Sequence, residues 1–289
     1  LETVAAEDAA RLDLAMGAGV DAQTLKRLVR ATLIGPFTVV DYSAIEARVV
    51  AWLAGEDWAL EAFHAGRDIY VETAARMFNL DRDAALERRF EGKVATLALG
   101  YNGGVKSLEH MGAEGDRNHL QNLVDQWRRA NPNIVNLWRS LDRAFLRGGE
   151  VGAGRIRVEV DGDTRRLHLP SGRAISYHGF RQKWVTTKFG RQRRMSFRDP
   201  RKNNLHVDSY GGKLVENVTQ AVARDVLSEA IMRLQRAGEK PVGHVHDEIL
   251  VEGERSVESI AAIMCETTDW SDGLPLAAEG ATMKRYRKE

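Results

Sequence analysis

VVDYSAIEARVVAWLAGE, residues Val39 to Glu56, holds the strand-to-helix joint on which the reading of this chain turns. Upstream, FTVV (Phe37 to Val40) is a short apolar, β-prone run; downstream, Ile45, Val49, Trp52 and Leu53 recur at helical spacing until Gly55 ends the pattern. Ser43 is the expected N-cap of that helix. Asp41 stands at the joint itself. A carboxylate at the C-terminal end of a buried strand is costly unless it is paired, hydrogen-bonded or bound to a cation.

A second acid lies in a comparable setting. PVGHVHDEILVEGE (Pro241 to Glu254) reads as two short strands meeting at Asp247 and Glu248. If that hairpin neighbours the Phe37–Val40 strand, Asp41 and Asp247 converge on one point, an arrangement suited to hard divalent cations. Two such ions about 3.5–4 Å apart stabilise both the entering and the leaving oxygen of a phosphoryl displacement. The plainer alternatives stay open: Asp41 as a cap for the following helix, and Asp247 as an ordinary hairpin-turn residue. A third element is ERRFEGKVATLALGYNGG (Glu87 to Gly104), where Arg89 and Lys93 are four apart and project from one helix face. A guanidinium fork and an ammonium point charge can grip a triphosphate. Leu97 and Tyr101 continue the same stripe into apolar character. Taken alone, such a pair is usually an ordinary solvated helix face.

The bulk properties set limits. With 289 residues, 43% hydrophobic and 29% charged, the chain has the composition of a globular protein with a sizeable core. The lone Cys265, expected to fill core, excludes an intramolecular disulfide and a Cys-rich zinc site. Nothing approaches the roughly 20 apolar residues of a membrane span, and no signal-peptide pattern opens the chain, so the expectation is a cytoplasmic protein with no membrane partner. Net charge is only +1, yet residues 155–202 hold 14 Lys or Arg against four acids, with Trp184, Phe189 and Phe197 interleaved. Such a basic segment attracts nucleic-acid phosphates. Helix is expected in the first forty residues, clearest at Leu25–Leu33 and ended by Gly35 and Pro36. Further helices are expected over about Asp83–Gly100, Asn118–Leu146 with a break at Pro132, Lys213–Ala237, and from Ser256. Residues 150–209 read as hairpins. The whole reads as one α+β unit with a central sheet.

Taken together and in this order, DYSAIEARVVAWLAGE, R-x-x-x-K-x-x-x-L-x-x-x-Y and HVHDEILVE resemble motifs A, B and C of the family A (DNA polymerase I-like) DNA polymerases. LPSGR (Leu169 to Arg173), YGGKLVENVTQAVARD (Tyr210 to Asp225) and WSDGLPL (Trp270 to Leu276) resemble segments of the bacteriophage type. The resemblance implies a polymerase palm, an antiparallel sheet with helices, at 1–60 and 151–289, with helical fingers at 61–150. It implies that Asp41 and Asp247, with the main-chain carbonyl of Tyr42, bind two magnesium ions or manganese in their place. Glu46 falls at the gate against a ribose 2′-hydroxyl, Arg89 and Lys93 at the triphosphate, with Lys93 also protonating pyrophosphate, and Tyr101 near the templating base. His246 and Glu248 flank the primer terminus, and Gln220 and Asn217 face the nascent duplex. Primer-template DNA and deoxynucleotides are the implied partners, in the cytoplasm of a phage-carrying bacterial host. Three positions depart from the pattern: Leu97 for an aromatic, Tyr70 for a histidine, and Glu216 for an asparagine.

Only forty residues precede Asp41, so thumb and exonuclease are expected to be absent from this chain, which begins at Leu1. A second polypeptide supplying them, with this chain as the catalytic half of a split polymerase, is the alternative. A metal-dependent phosphohydrolase built on the HD of VHDE, or a single-subunit RNA polymerase relative, fits less well. The former lacks further His and Asp at ligand spacing, and Glu46 at the gate argues for DNA over RNA.

Overall fold

The computed structural model describes residues 30–187 and 190–287. Phe189, and the expected Leu25–Leu33 helix up to Val29, lie outside the described residues. In chain order, β1 (Ile34–Tyr42) leads to α1 (Ile45–Ala54), α2 (Asp57–His64), α3 (Ile69–Phe78), α4 (Arg82–Glu87), α5 (Arg89–Leu99), α6 (Val105–His110), α7 (Arg117–Ala130) and α8 (Pro132–Arg147). Then come β2 (Gly149–Val151), β3 (Ile156–Asp161), β4 (Thr164–His168), β5 (Ala174–Tyr177), β6 (Arg181–Thr187), β7 (Gly190–Asp199) and β8 (Leu205–Ser209). The chain continues through α9 (Gly211–Arg236), β9 (Pro241–Val245), β10 (Glu248–Glu252), α10 (Val257–Met264) and β11 (Ala278–Arg285). None of the described helices is long and apolar enough to cross a membrane. The single unit expected from sequence is replaced by two compact ones, residues 30–43, 226–266 and 276–287, and residues 44–225 and 267–275. The reason is topological: one sheet draws strands from both ends of the chain, while the long insertion between them builds a core of its own.

The first unit is an antiparallel sheet in the order β11-β1-β10-β9. Alternation along β1 divides its side chains. Phe37 and Val39 join Leu250 and Tyr286 in one buried cluster, and Thr38 and Val40 are fully buried on the opposite face. Each fully buried apolar side chain of this size is worth about 1.5–3 kcal/mol. The buried Thr38 hydroxyl donates to the Gly253 carbonyl at 3.1 Å and accepts from the Arg255 N–H at 2.8 Å. β11 had no strand signal. It pairs along β1 through Gly280, where a Cβ would stand 2.1 Å from the Val39 carbonyl oxygen, so only glycine permits this approach. β1 itself begins at Ile34 and contains the Gly35 and Pro36 expected to lie outside it. Cys265 is half-buried at the end of α10 rather than core filling.

The second unit starts with α1, whose N-cap is Ala44 at φ 52°, with no side-chain cap; Ser43 does not fill that role. The expected helix over Asp83–Gly100 is two. Arg88 leaves helical geometry at φ −105°, ψ 15°, with its guanidinium held by Glu91 at 2.7 Å and stacked 3.4 Å from the Phe78 ring centroid. α5 then packs so closely on α3 that a Cβ on Gly92 would meet the Tyr70 carbonyl oxygen at 2.0 Å. The break between α7 and α8 falls at Pro132, as the sequence indicates. Hairpins over residues 150–209 form the antiparallel sheets β2–β5 and β6–β8.

Glu56 caps α8 from a distance. Its carboxylate, only 3% exposed, accepts from the N–H groups of Asn133 at 2.9 Å and Ile134 at 3.1 Å. Burial pushes this carboxyl above the ordinary range, and the two N–H donors with Arg76 offset it only in part. A carboxyl whose pKa is higher folded than unfolded stabilises fully below its unfolded pKa, and that contribution is lost as pH rises through the folded value. Glu56→Gln keeps an acceptor for both N–H groups, so it is expected to flatten this fall in urea midpoints measured from mildly acidic to neutral pH. Glu56→Ala leaves both donors unmet and is expected to cost about 1–3 kcal/mol throughout.

Candidate active site

β9 and β10 form a hairpin whose last pair is Val245 with Glu248, so His246 and Asp247 are its two-residue turn. The strands therefore meet one residue earlier than the sequence suggested. His246 takes φ 56° at the exposed tip. β1 runs beside β10 with Asp41 directly opposite Glu248, and the Tyr42 N–H donates to the Asp247 carbonyl at 3.3 Å. Asp41 and Asp247, both half-buried, thus share one end of the sheet. Tyr42, with its hydroxyl donating to the Met264 carbonyl at 2.6 Å, fixes the backbone between them.

Glu248 is buried, 5% exposed, and accepts from the Tyr286 hydroxyl. Burial first, then this bond and the charges of Glu248 and Asp41, raise the Tyr286 phenol above its usual value, so it remains a donor. Like charges directly opposite on adjacent strands repel, and Asp41 faces Glu248 in that way. A cation at this end of the sheet would relieve the repulsion. Two carboxylates and a main-chain carbonyl are all oxygen donors, which suits a hard divalent ion. Among the described residues no group of three or more His, Cys, Asp or Glu side chains could hold a metal; Asp41 and Asp247 are two.

The remaining expected site residues lie in the second unit. Arg89, Lys93 and Leu97 are exposed along one face of α5, while Gly92, Val94, Ala95 and Leu99 are buried on the other. Tyr101 lies just past the helix end. Its hydroxyl donates to Glu46 at 2.8 Å, and Gln220 donates to the other Glu46 oxygen at 3.4 Å. Burial, reinforced by Glu46, holds the Tyr101 phenol well above its usual value. Glu46, Leu97 and Tyr101, with Trp58, Phe63 and Ile134, line a partly open pocket of about 60 Å³. Asn217 donates to the Tyr177 hydroxyl at 2.9 Å, and Glu216 pairs with Lys213 at 2.9 Å.

Sequence reasoning missed Asp68 and Tyr286. The Asp68 carboxylate receives Arg89 at 2.7 Å and caps α3 through the N–H groups of Tyr70 and Val71, while the Arg89 guanidinium lies 5.2 Å from the Tyr70 ring centroid. Burial pushes Asp68 up, but Arg89 and the two N–H donors outweigh it and hold the carboxyl below its ordinary value. An aspartate just before an apolar periodic run is a readable cap signal; its partner 21 residues away is not. Asp68→Asn keeps the cap and loses an exposed ion pair, an expected cost below about 1 kcal/mol in urea unfolding. Asp68→Ala is expected to cost about 1 kcal/mol more.

The first unit thus carries two carboxylates at one end of a four-stranded antiparallel sheet, and the second, of helices and antiparallel sheets, presents an Arg/Lys face; mixed helix and antiparallel sheet of this kind is a polymerase-type fold. The comparisons with known proteins agree. Residues 21–153 match the family model for DNA polymerase family A. The chain is 38% identical to the DNA polymerase of Bacillus phage SP02 over 92% of its own length and 44% of that protein's, and 28% identical to the DNA polymerase of Mycobacterium phage L5 over 86% and 35%. In fold it matches the polymerase domain of Pol1 from M. smegmatis, solved with a DNA primer-template and dNTP, at a TM-score of 0.57 and 17% identity, over 90% of this chain and 42% of that one. In sequence the chain is similar to DNA polymerase family A and to its phage members. It spans less than half the length of these relatives.

Proposed function

We propose that this chain carries the catalytic part of a template-directed DNA polymerase, adding deoxynucleotides to a primer 3′-hydroxyl. The observation that carries this reading is the Asp41–Asp247 pair, supported by the Arg89/Lys93 face of α5. The domain assignment proposed with it is palm at 1–60 and 151–289 and fingers at 61–150. Asp41, Asp247 and the Tyr42 carbonyl would hold divalent cations, magnesium or manganese, which when bound lower the pKa of the attacking hydroxyl and neutralise phosphate charge. Arg89 offers its planar fork to phosphate oxygens in exchange for Asp68, and Lys93 holds a proton in reach of the departing pyrophosphate. Buried Glu248, fixed by Tyr286, supports the hairpin, and His246 at its tip faces the primer end. Glu46 excludes a ribose 2′-hydroxyl, with Tyr101 and Gln220 fixing its carboxylate. Gln220 and Asn217 contact the nascent duplex.

The test is primer extension by the purified chain with magnesium and the four deoxynucleotides. Extension of a primed template, absent without template, is the expected result; a folded chain that extends nothing would overturn stand-alone synthesis. The comparisons give no support to a second polypeptide.

A further inference from the structure

The sheet β6–β8 of the second unit takes no part in the chemistry above. From Arg181 to Ser209 the sequence carries nine Lys or Arg against two acids, in a chain of net charge +1. Both acids are engaged, Asp199 with Arg201 at 3.2 Å and Asp208 with Arg194 at 3.2 Å. The register of β6 on β7 sets Lys183 opposite Arg194 and Trp184 opposite Arg193. Lys183 and Arg194 thus face each other on one side of the ladder, with Asp208 as the counter-charge of Arg194, while Arg193 lies on the other side with Trp184. On the face opposite to Lys183, Trp184 is 59% exposed, and the Arg191 guanidinium lies 5.0 Å from its ring centroid. Phe197, expected among the accessible aromatics, instead meets Tyr177 edge-on at 4.6 Å between centroids. The accessible indole thus has Arg191 over its ring and Arg193 opposite it in the ladder.

We propose that the β6–β7 hairpin is a platform for an unpaired nucleic-acid strand, Trp184 stacking on a base while Arg191 and Arg193, on the same face of the hairpin, neutralise phosphates. Charge complementarity selects a polyanion. The indole selects the unpaired form, because a base inside a duplex has both faces occupied by its neighbours, whereas an unpaired base has a free face for an aromatic ring. This rests on the polymerase reading and deepens it by naming the form of DNA that this part of the chain holds.

The test is binding, without metal or nucleotide, of the full chain to labelled oligothymidine of about twelve residues, matching the usual 4–16 nucleotide site range. An abasic phosphodiester of equal length and a duplex of equal length run beside it. Oligothymidine is expected to bind roughly fivefold or more tightly than the abasic chain, and Trp184→Ala to remove that difference. Arg191→Glu with Arg193→Glu is expected to weaken all three probes and to lower the salt slope by about one for each phosphate that is no longer neutralised. Oligothymidine bound no better than the abasic chain, Trp184→Ala binding like the unmodified chain, or duplex preferred over oligothymidine would each overturn the platform. Circular dichroism of each variant verifies folding. A chain that extends primers yet fails these comparisons keeps the polymerase reading and loses the platform; one that passes them without extending primers does the reverse.

Discussion

Asp41→Ala and Asp247→Ala are each expected to lower primer extension by at least about a thousandfold, because several kcal/mol of charge stabilisation depart with the cation and each 1.4 kcal/mol is a factor of ten. The structure separates this loss from misfolding. Asp41 faces Glu248 across the β1–β10 ladder, so Asp41→Asn removes a like charge while keeping the size and polarity of the side chain. Asp247 occupies a two-residue turn, where Asp247→Asn keeps the turn chemistry while removing the charge. The Asn variants are thus expected to fold like the parent and still fail in extension. A direct readout is manganese binding followed by electron paramagnetic resonance, which either substitution should weaken. If both variants extend primers at the parent rate, the carboxylate pair is structural and the proposed chemistry resides elsewhere.

The second large effect concerns sugar choice. Glu46→Ala is expected to raise the ratio of kcat/KM for ribonucleotides over deoxynucleotides by about 10- to 200-fold, the range that one small group commands in a closed pocket. The gate is held as well as placed, since Tyr101 and Gln220 donate to its two carboxylate oxygens. Truncation also strips the buried Tyr101 phenol of its acceptor, so Glu46→Ala is expected to cost stability, about 1–3 kcal/mol. Glu46→Gln supplies the control: similar in size and still an acceptor, it should keep most of the discrimination. An unchanged ratio in Glu46→Ala would remove Glu46 from the gate, whatever the effect on stability.

Much of this was legible in the chain itself. The apolar run into Asp41, the hairpin carrying Asp247, and the four-residue spacing of Arg89 and Lys93 are local patterns of period 2 or 3.6, and the backbone obeys them. The order of those motifs sufficed for the family likeness and for a fold of helices with antiparallel sheet. What local pattern could not hold is which distant segment arrives beside which. β11 carries a polar sequence and becomes a strand because Gly280 lets it lie against Val39. Tyr286, 38 residues beyond Glu248, buries that carboxylate, and Asp68 reaches Arg89 because α3 packs on α5 at Gly92. The left-handed Ala44 at the start of α1 and the break at Arg88 likewise follow from packing rather than from propensity. Sequence periodicity thus determined the elements and the chemical identity of their faces. Register, caps and the partners of the charged groups were decided by tertiary structure, because close approach and desolvation exist only once segments remote in sequence have met.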